Sequence, residues 1–155
     1  MLMRKLKKKL KRPRSRWDSA RMEDENKLTK EFGLKKKGEI WRAEAVVRNF
    51  RRRARTLIAE KDERKTKILL ERLVEMGLIQ KEQGLDQVLQ LKAYDVLNRR
   101  LQTLVFKKGF ATSAKAARQR IVHGHVYVDG RKTTFPSYIV PVKKENTINV
   151  KGGSK

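Results

Sequence analysis

The sequence predicts an α+β protein: an N-terminal helical domain, then a small α/β domain in which two helices pack on a short antiparallel sheet. Two observations predict this class. Up to about residue 97 the apolar residues recur at intervals of three and four, the period of an amphipathic helix. After residue 125 apolar and polar residues alternate around an Asp-Gly pair, which is typical of a β-hairpin.

The charge of the chain indicates its kind of partner. The 155 residues include 41 Lys and Arg against 17 Asp and Glu, a net charge of +24. Such a protein attracts polyanions, so nucleic acid and anionic membrane are the candidates. No apolar run approaches the roughly 18 to 20 residues of a membrane-spanning helix, and residues 1–10 lack the apolar core and cleavage site of a secretory signal. We therefore expect a cytoplasmic or nuclear protein.

The sequence shows none of the common catalytic or metal-binding motifs. It has no cysteine, which excludes disulfides, thiolate nucleophiles and cysteine-based zinc sites. His123 and His125 have no third ligand near them in sequence. No glycine-rich phosphate loop or Ser/His/Asp set is present, and the acidic groups at 23–25 and 62–63 are expected to stabilise helix N-termini. We predict no enzymatic activity, no cofactor and no metal.

Charge and periodicity divide the chain into three predicted parts. Residues 1–16 hold nine Lys or Arg and no acid, so we expect a basic extension that orders only on its partner, with an unstructured solubilising tail as the alternative. Residues 17–97 form the helical domain and residues 98–155 the small domain. Helices in the first domain are predicted at 23–32, 39–59, 62–76 and 85–91.

The second of these helices carries arginines opposite its apolar residues. Arg48, Arg51, Arg52 and Arg55 recur at helical spacing with no acid among them, and Arg53 adds a further cation. Exposed helices usually intersperse glutamates, so this pattern favours an external anion over a merely solvated face. The guanidinium group offers a planar pair of donors suited to phosphate.

In the small domain, residues 99–155 hold 13 Lys or Arg against two acids. A helix is predicted across residues 97–109, with Arg99, Arg100, Lys107 and Lys108 outside its apolar stripe, and a second helix from Ser113 to Gly124. Strands are predicted at 126–128, 138–142 and 148–150, with a tight turn at Asp129-Gly130.

Basic helices on a small sheet suit RNA. A-form RNA is recognised by its shape, phosphates and ribose hydroxyls, for which Arg, Lys and backbone donors are fitted. Aromatic residues make up only 6% of the chain, which disfavours a stacking platform for single strands. The predicted unit is therefore a small α/β RNA-binding domain.

Five segments carry a resemblance to a known family: NFRRRAR at 49–55, NRRLQT at 98–103, ARQ at 117–119, HGHVYVDG at 123–130 and PSY at 136–138. They resemble the ribosomal protein S-four family, in its archaeal and eukaryotic branch, and the resemblance covers nearly the whole chain. Residues 144–146, Lys-Glu-Asn, depart from the Gly-Asp that relatives often have there, and the cysteines that bind metal in some bacterial relatives are absent.

The resemblance implies a structural component of the small ribosomal subunit. Such a protein is a primary rRNA binder whose two domains clasp a multi-helix RNA junction, near the place where messenger RNA enters. It nucleates assembly of the body and contributes to translational accuracy. The implied partners are small-subunit rRNA and neighbouring small-subunit ribosomal proteins, in the cytoplasm, without an obligate homo-oligomer.

The predicted RNA-binding residues come from the arginine pattern, from the basic helices of the small domain and from the resemblance. They are Arg48, Arg51, Arg52, Arg53, Arg55, Arg99, Arg100, Lys107, Lys108, Lys115, Arg118, Gln119, Arg120 and His123. Two other functions stay open, an assembly factor or RNA chaperone with the same RNA-binding domain and a DNA-compacting protein. DNA compaction predicts comparable affinity for duplex DNA, whereas a junction binder prefers folded rRNA at high salt.

Overall fold

The computed structural model describes residues 13, 15, 17–81 and 84–151. Of the predicted basic extension, only Pro13 and Ser15 fall within the described residues. The α+β class is confirmed. The helices are α1 (Ser19–Glu31), α2 (Gly38–Glu60), α3 (Glu63–Glu75), α4 (Leu85–Gln90), α5 (Ala93–Asn98), α6 (Leu101–Lys107), α7 (Ala114–Val122) and a 3-10 helix (Val142–Thr147); the strands are β1 (Val126–Val128), β2 (Arg131–Lys132) and β3 (Ile148–Val150).

The first core forms around α2. Every member of the apolar stripe that the sequence places on this helix is buried, which confirms the predicted periodicity: Ile40, Ala43, Val47, Phe50, Ala54 and Leu57. Helices α1, α3, α4 and α5 pack around it, and their buried residues belong to the same core as far as Leu97. The apolar stripe of α2 therefore forms the centre of the first core.

The acidic group at 23–25 does not start a helix, so that prediction is wrong. Helix α1 already begins at Ser19, because Asp18 caps it by accepting a hydrogen bond from the backbone N–H of Arg21 at 3.2 Å. Glu25 instead lies inside the fold with 4% exposure. Its carboxylate accepts a hydrogen bond from Trp41 Nε1 at 2.9 Å and lies 3.4 Å from Lys37 Nζ, so it ties α1 to the start of α2.

The acidic pair at 62–63 behaves as predicted. The Asp62 side chain caps α3 by accepting a hydrogen bond from the backbone N–H of Lys65 at 3.1 Å. Hydrogen bonds from the Lys65 side chain and backbone hold the pKa of Asp62 below its usual range. The helix ends before Gly77, whose positive φ of +69° is the left-handed conformation that commonly terminates helices.

The helix predicted across residues 97–109 is broken. Helix α5 ends at Asn98 and α6 starts at Leu101, because the intervening backbone pairs with a distant segment. The Leu101 N–H donates to the Tyr138 carbonyl at 2.7 Å, and the Val140 N–H donates to the Arg99 carbonyl at 3.1 Å. The prediction of one continuous helix is therefore wrong, and Arg99 and Arg100 form a two-residue link in which Arg100 has an extended backbone.

The same pairing corrects the strand predicted at 138–142. This segment forms a single bridge, between Ile139 and Arg100, and then enters the 3-10 helix instead of joining the sheet. The other strands are confirmed, since β1 pairs antiparallel with both β2 and β3 in the order β2-β1-β3. Asp129 and Gly130 both have positive φ, 54° and 73°, as the predicted tight turn requires.

Helices α6 and α7 pack on one another and on this sheet, as predicted. Their apolar residues form a second core with those of the strands: Leu101, Leu104, Val105, Ala111, Ala117, Ile121, Val126, Val128, Val140 and Ile148. None of the helices in the described part of the chain is long and apolar enough to cross a membrane. The two cores divide between Leu97 and Leu101, and the boundaries of the predicted domains stay a prediction.

Gly33, in the turn after α1, should be intolerant of a side chain. Its φ is +57°, and an added Cβ would lie 2.9 Å from the Ala114 Cβ and 3.0 Å from the Lys115 nitrogen. We expect Gly33→Ala to lower the unfolding free energy by about 2 to 4 kcal/mol, from backbone strain and overpacking together. Gly109→Ala is the control, because its φ is +76° but nothing lies within 4 Å of the added Cβ. Urea unfolding should show a smaller loss for the control, and equal losses would contradict the close packing at Gly33.

Candidate nucleic-acid interface

Helix α2 presents a row of arginines to the solvent. Arg48, Arg52, Arg53 and Arg55 are exposed. With 100° of rotation per residue, Arg48, Arg52 and Arg55 lie opposite the buried stripe, and Arg53 lies on one flank. The side chains of Arg52, Arg53 and Arg55 make no hydrogen bond or ion pair with residues that the structure describes. We call Arg48, Arg52, Arg53 and Arg55 the α2 ridge.

Arg51 differs from the α2 ridge, although the sequence pattern groups them. It is half-buried on the other flank of α2, and its Nη2 donates to the Leu91 carbonyl, just beyond α4. Its Nε is buried without a hydrogen-bond partner among the residues described. The guanidinium of Arg51 is thus committed, at least in part, to holding the end of α4 against α2.

Arg99 was predicted to face RNA, but the structure places its side chain inside the protein. Its Nε donates to the Met76 carbonyl at 3.0 Å, its Nη1 to Glu145 Oε2 at 2.8 Å and its Nη2 to the Val140 carbonyl at 2.9 Å. Met76 caps the end of α3, where a cation is favourable beside the free carbonyls. Arg99 therefore joins α3 to the 3-10 helix.

Arg100 is likewise buried, with 8% exposure, which corrects its predicted place on the surface. Its Nη2 lies 2.9 Å from Glu39 Oε2 at the start of α2. Arg118 of α7 pairs with the same carboxylate, Nη2 to Oε1 at 3.0 Å. Burial alone would raise the pKa of Glu39, but the two guanidiniums outweigh it and lower that pKa. Burial lowers the pKa of Arg100 and outweighs the attraction of Glu39.

The remaining predicted residues of the small unit divide into free and engaged side chains. Lys115, Gln119 and His123 are exposed on α7 or at its end. Lys107 is exposed at the end of α6, and its Nζ donates to Asn98 Oδ1 at 2.9 Å. Two others are half-buried and donate to backbone carbonyls inside the unit, Lys108 to that of Glu145 and Arg120 to that of Phe110.

Sequence reasoning missed two lysines that lie beside this surface. Lys35 and Lys36 are exposed in the turn between α1 and α2. Gly33 in that turn packs directly against the start of α7, so the turn that carries both lysines lies beside the start of that helix. The run of three lysines at 35–37 was a visible signal, but their neighbourhood depends on a contact between distant parts of the chain. We call the exposed set Lys35, Lys36, Lys107, Lys115, Gln119 and His123 the α7 face.

His125 is absent from the predicted RNA-binding residues, although its ring lies beside that of His123. The two rings lie parallel, with 6.3 Å between centroids and 8° between planes, and both side chains are exposed. Gln119, Arg120 and Lys151 line the same shallow concavity. Among the residues described, no group of three or more His, Asp or Glu side chains could hold a metal ion. The concavity offers donors for phosphate oxygens.

The arrangement defines a class of protein. A helical unit and a small α/β unit each expose cations that do not serve their own packing, and cations of this kind are what phosphate recognition requires. Residues 99–146 match the family model described as S4 domain, an RNA-binding domain. The protein is thus an S4-domain protein with a helical unit in front.

Full-length comparisons narrow the class to one family. The chain is 44% identical over 148 residues to small ribosomal subunit protein uS4 of Methanothermobacter thermautotrophicus, covering 94% of this chain and 86% of that protein. It is 46% identical to the uS4 protein of Ignicoccus hospitalis, covering 94% and 89%, and 43% identical to that of Halobacterium salinarum, covering 88% and 80%. The chain belongs to the small ribosomal subunit protein uS4 family. The resemblance found in the sequence is confirmed, and these relatives are archaeal.

Proposed function

We propose that this chain is a structural component of the small ribosomal subunit, acts in the cytoplasm and binds rRNA through the α2 ridge and the α7 face. The observation that carries the proposal is the sorting of the cations. Arg52, Arg53 and Arg55 stay exposed and make no ion pair with described residues. Arg99 and Arg100 are also arginines, but their guanidinium groups pair with carboxylates inside the fold. Arginines left unpaired on a helix are fitted to phosphate oxygens.

The two surfaces lie on different units, which supports a junction as the target. One surface belongs to the first core and the other mainly to the second, so the protein can contact phosphates of two RNA helices at once. A protein that holds two helices of a junction stabilises their relative angle, because binding favours the folded RNA over its alternatives. This is the basis on which we propose a role in early assembly of the subunit body and in translational accuracy.

The exposed face of α3 differs in charge from the two surfaces proposed to bind RNA. Helix α3 carries both signs of charge, with Arg64, Lys65 and Lys67 between Glu63 and Glu71, which is the pattern of an ordinary solvated helix. Ile68 on the same helix is 65% exposed. We propose that neighbouring small-subunit proteins, rather than RNA, contact the exposed face of α3. We also propose that the chain binds its partners and catalyses no reaction.

Sedimentation tests the proposed function. Native protein should remain with mature small subunits in a sucrose gradient run at high salt, since a permanent component is held by many contacts. Tagged protein expressed from its own locus, followed by immunoblotting across the gradient, is the measurement. Recovery only in precursor particles would instead identify an assembly factor, and recovery at the top of the gradient would contradict both functions.

A further inference from the structure

The two units meet along a seam that contains buried charge. Glu39, at the start of α2, belongs to the first unit, and its partners Arg100 and Arg118 belong to the second. Glu39 is 9% exposed, and Nη1 of Arg100 is buried without a hydrogen-bond partner among the described residues. The carboxylate is therefore the counter-charge on which Arg100 depends. An ion pair in such surroundings is screened little by salt.

A buried amide extends the same seam. Gln102 of α6 is 2% exposed, and its Nε2 lies 2.9 Å from the Phe32 carbonyl, 3.1 Å from that of Gly33 and 3.0 Å from that of Ala114. One side chain thus joins the end of α1 to the start of α7. Separating the units would leave buried polar groups unpaired, which is costly.

A second attachment lies on another helix. Arg99 donates to the carbonyl of Met76, at the end of α3, and to Glu145 of the 3-10 helix. An added Cβ at Gly77 would lie 2.8 Å from Val142 Cγ2, so the backbone at the end of α3 also packs closely against the Val142 side chain. The two units are thus attached at two points, the start of α2 and the end of α3. Each attachment restrains rotation of one unit about the other attachment.

We infer that Glu39 and Arg99 are positioning residues: they lock the two units in one orientation before RNA binds, so that the α2 ridge and the α7 face meet RNA in a preset relative orientation. The inference rests on the proposed function for its purpose, but the orientation itself is a property of the free protein. Preset geometry raises affinity because little conformational freedom is lost on binding. Neither residue needs to contact RNA for this effect.

Distance measurements between the units test the inference. The sequence has no cysteine, so Lys67→Cys on α3 and Asn149→Cys on β3, both exposed, give two clean sites for spin labels. Pulsed dipolar spectroscopy of the free protein should give one narrow distance distribution, with the same mean after addition of small-subunit rRNA. A broad distribution in the free protein that narrows only with RNA would overturn the inference.

Variants identify the residues responsible. In the labelled protein, Glu39→Gln should broaden the distribution and weaken binding of folded rRNA at least tenfold, while binding of a short RNA duplex, which meets one surface at a time, should change little. Glu60→Gln, at the exposed opposite end of α2, is the control with the same change of charge. If Glu39→Gln does not fold, Arg118→Gln should broaden the free-protein distribution. If Glu39→Gln folds and its distance distribution is as narrow as that of Glu60→Gln, Glu39 does not position the two units.

The test separates this inference from the proposed function. If the wild-type protein shows no preference for folded rRNA, the proposed function fails, and the distance distribution of the free protein still decides whether the orientation is preset. If the preference is present but the distribution is broad, the function stands and the preset orientation is wrong.

Discussion

Arg52→Glu combined with Arg55→Glu is expected to weaken binding of folded small-subunit rRNA by about 3 to 6 kcal/mol. Each arginine is exposed on α2 opposite the apolar stripe. Charge-assisted hydrogen bonds to phosphate contribute about 1.5 to 3 kcal/mol each, and the new carboxylates add repulsion. Filter binding or fluorescence anisotropy at constant ionic strength measures the loss. Arg51 is left unchanged because its side chain holds Leu91, so its replacement would disturb the fold.

A matched variant on α3 controls for the overall charge. Arg64→Glu with Lys67→Glu also replaces two exposed cations, so both double variants have a net charge of +24 − 4 = +20. Long-range attraction falls equally in the two proteins, whereas direct phosphate contacts are lost only on α2. Equal losses of affinity would show that the α2 ridge does not contact the RNA.

Glu39→Gln is expected to lower the unfolding free energy at pH 7 by about 3 to 5 kcal/mol, the usual cost of removing one partner from a buried ion pair. The cost arises because Arg100 stays buried and charged without its counter-ion. Urea unfolding followed by circular dichroism measures it. Glu60→Gln should cost under about 1 kcal/mol, because exposed ion pairs contribute little.

The stability lost in Glu39→Gln should depend on pH. Burial would raise the pKa of Glu39, but Arg118 and Arg100 outweigh it and hold the pKa below the usual 4.5. A carboxylate with a lowered pKa in the folded state contributes stability above its unfolded pKa and loses that contribution as the pH falls through its folded pKa. The difference between wild type and variant should therefore narrow below pH 4.5. A difference that stays constant down to the acid transition would contradict the ion-pair account.

Local patterns predicted the elements whose cause is local. Helix α2 is predicted by the spacing of its own apolar residues, without knowledge of what packs against it. The hairpin is predicted by Asp129-Gly130, since both residues take positive φ. The break at Arg99 and Arg100 could not be found in this way. The apolar spacing continues from Leu97 to Leu101, and only the pairing of this link with residues 138–140 ends the helix.

The candidate site was predicted only in part, because contacts between distant parts of the chain decide which cations are exposed. Arg52 and Arg99 are chemically identical in the sequence, yet one is exposed and the other is bonded to Glu145, 46 positions away. Conversely, Lys35 joins the α7 face only because Gly33 packs against the start of α7. Charge pattern identifies which helices are basic, but the fold decides which of their cations remain for RNA.

The central claim is that exposed cations, which make no ion pair with the described residues, bind the phosphates of a folded RNA. Competition binding at increasing salt tests it most directly, with small-subunit rRNA, duplex DNA of equal charge and heparin as ligands. Contacts with about 6 to 10 phosphates should cost duplex DNA about three to five decades of affinity between 50 and 200 mM salt. Folded rRNA should lose less and be preferred at the higher salt, because shape contributes. Equal affinities for the three ligands across the salt range would contradict the account.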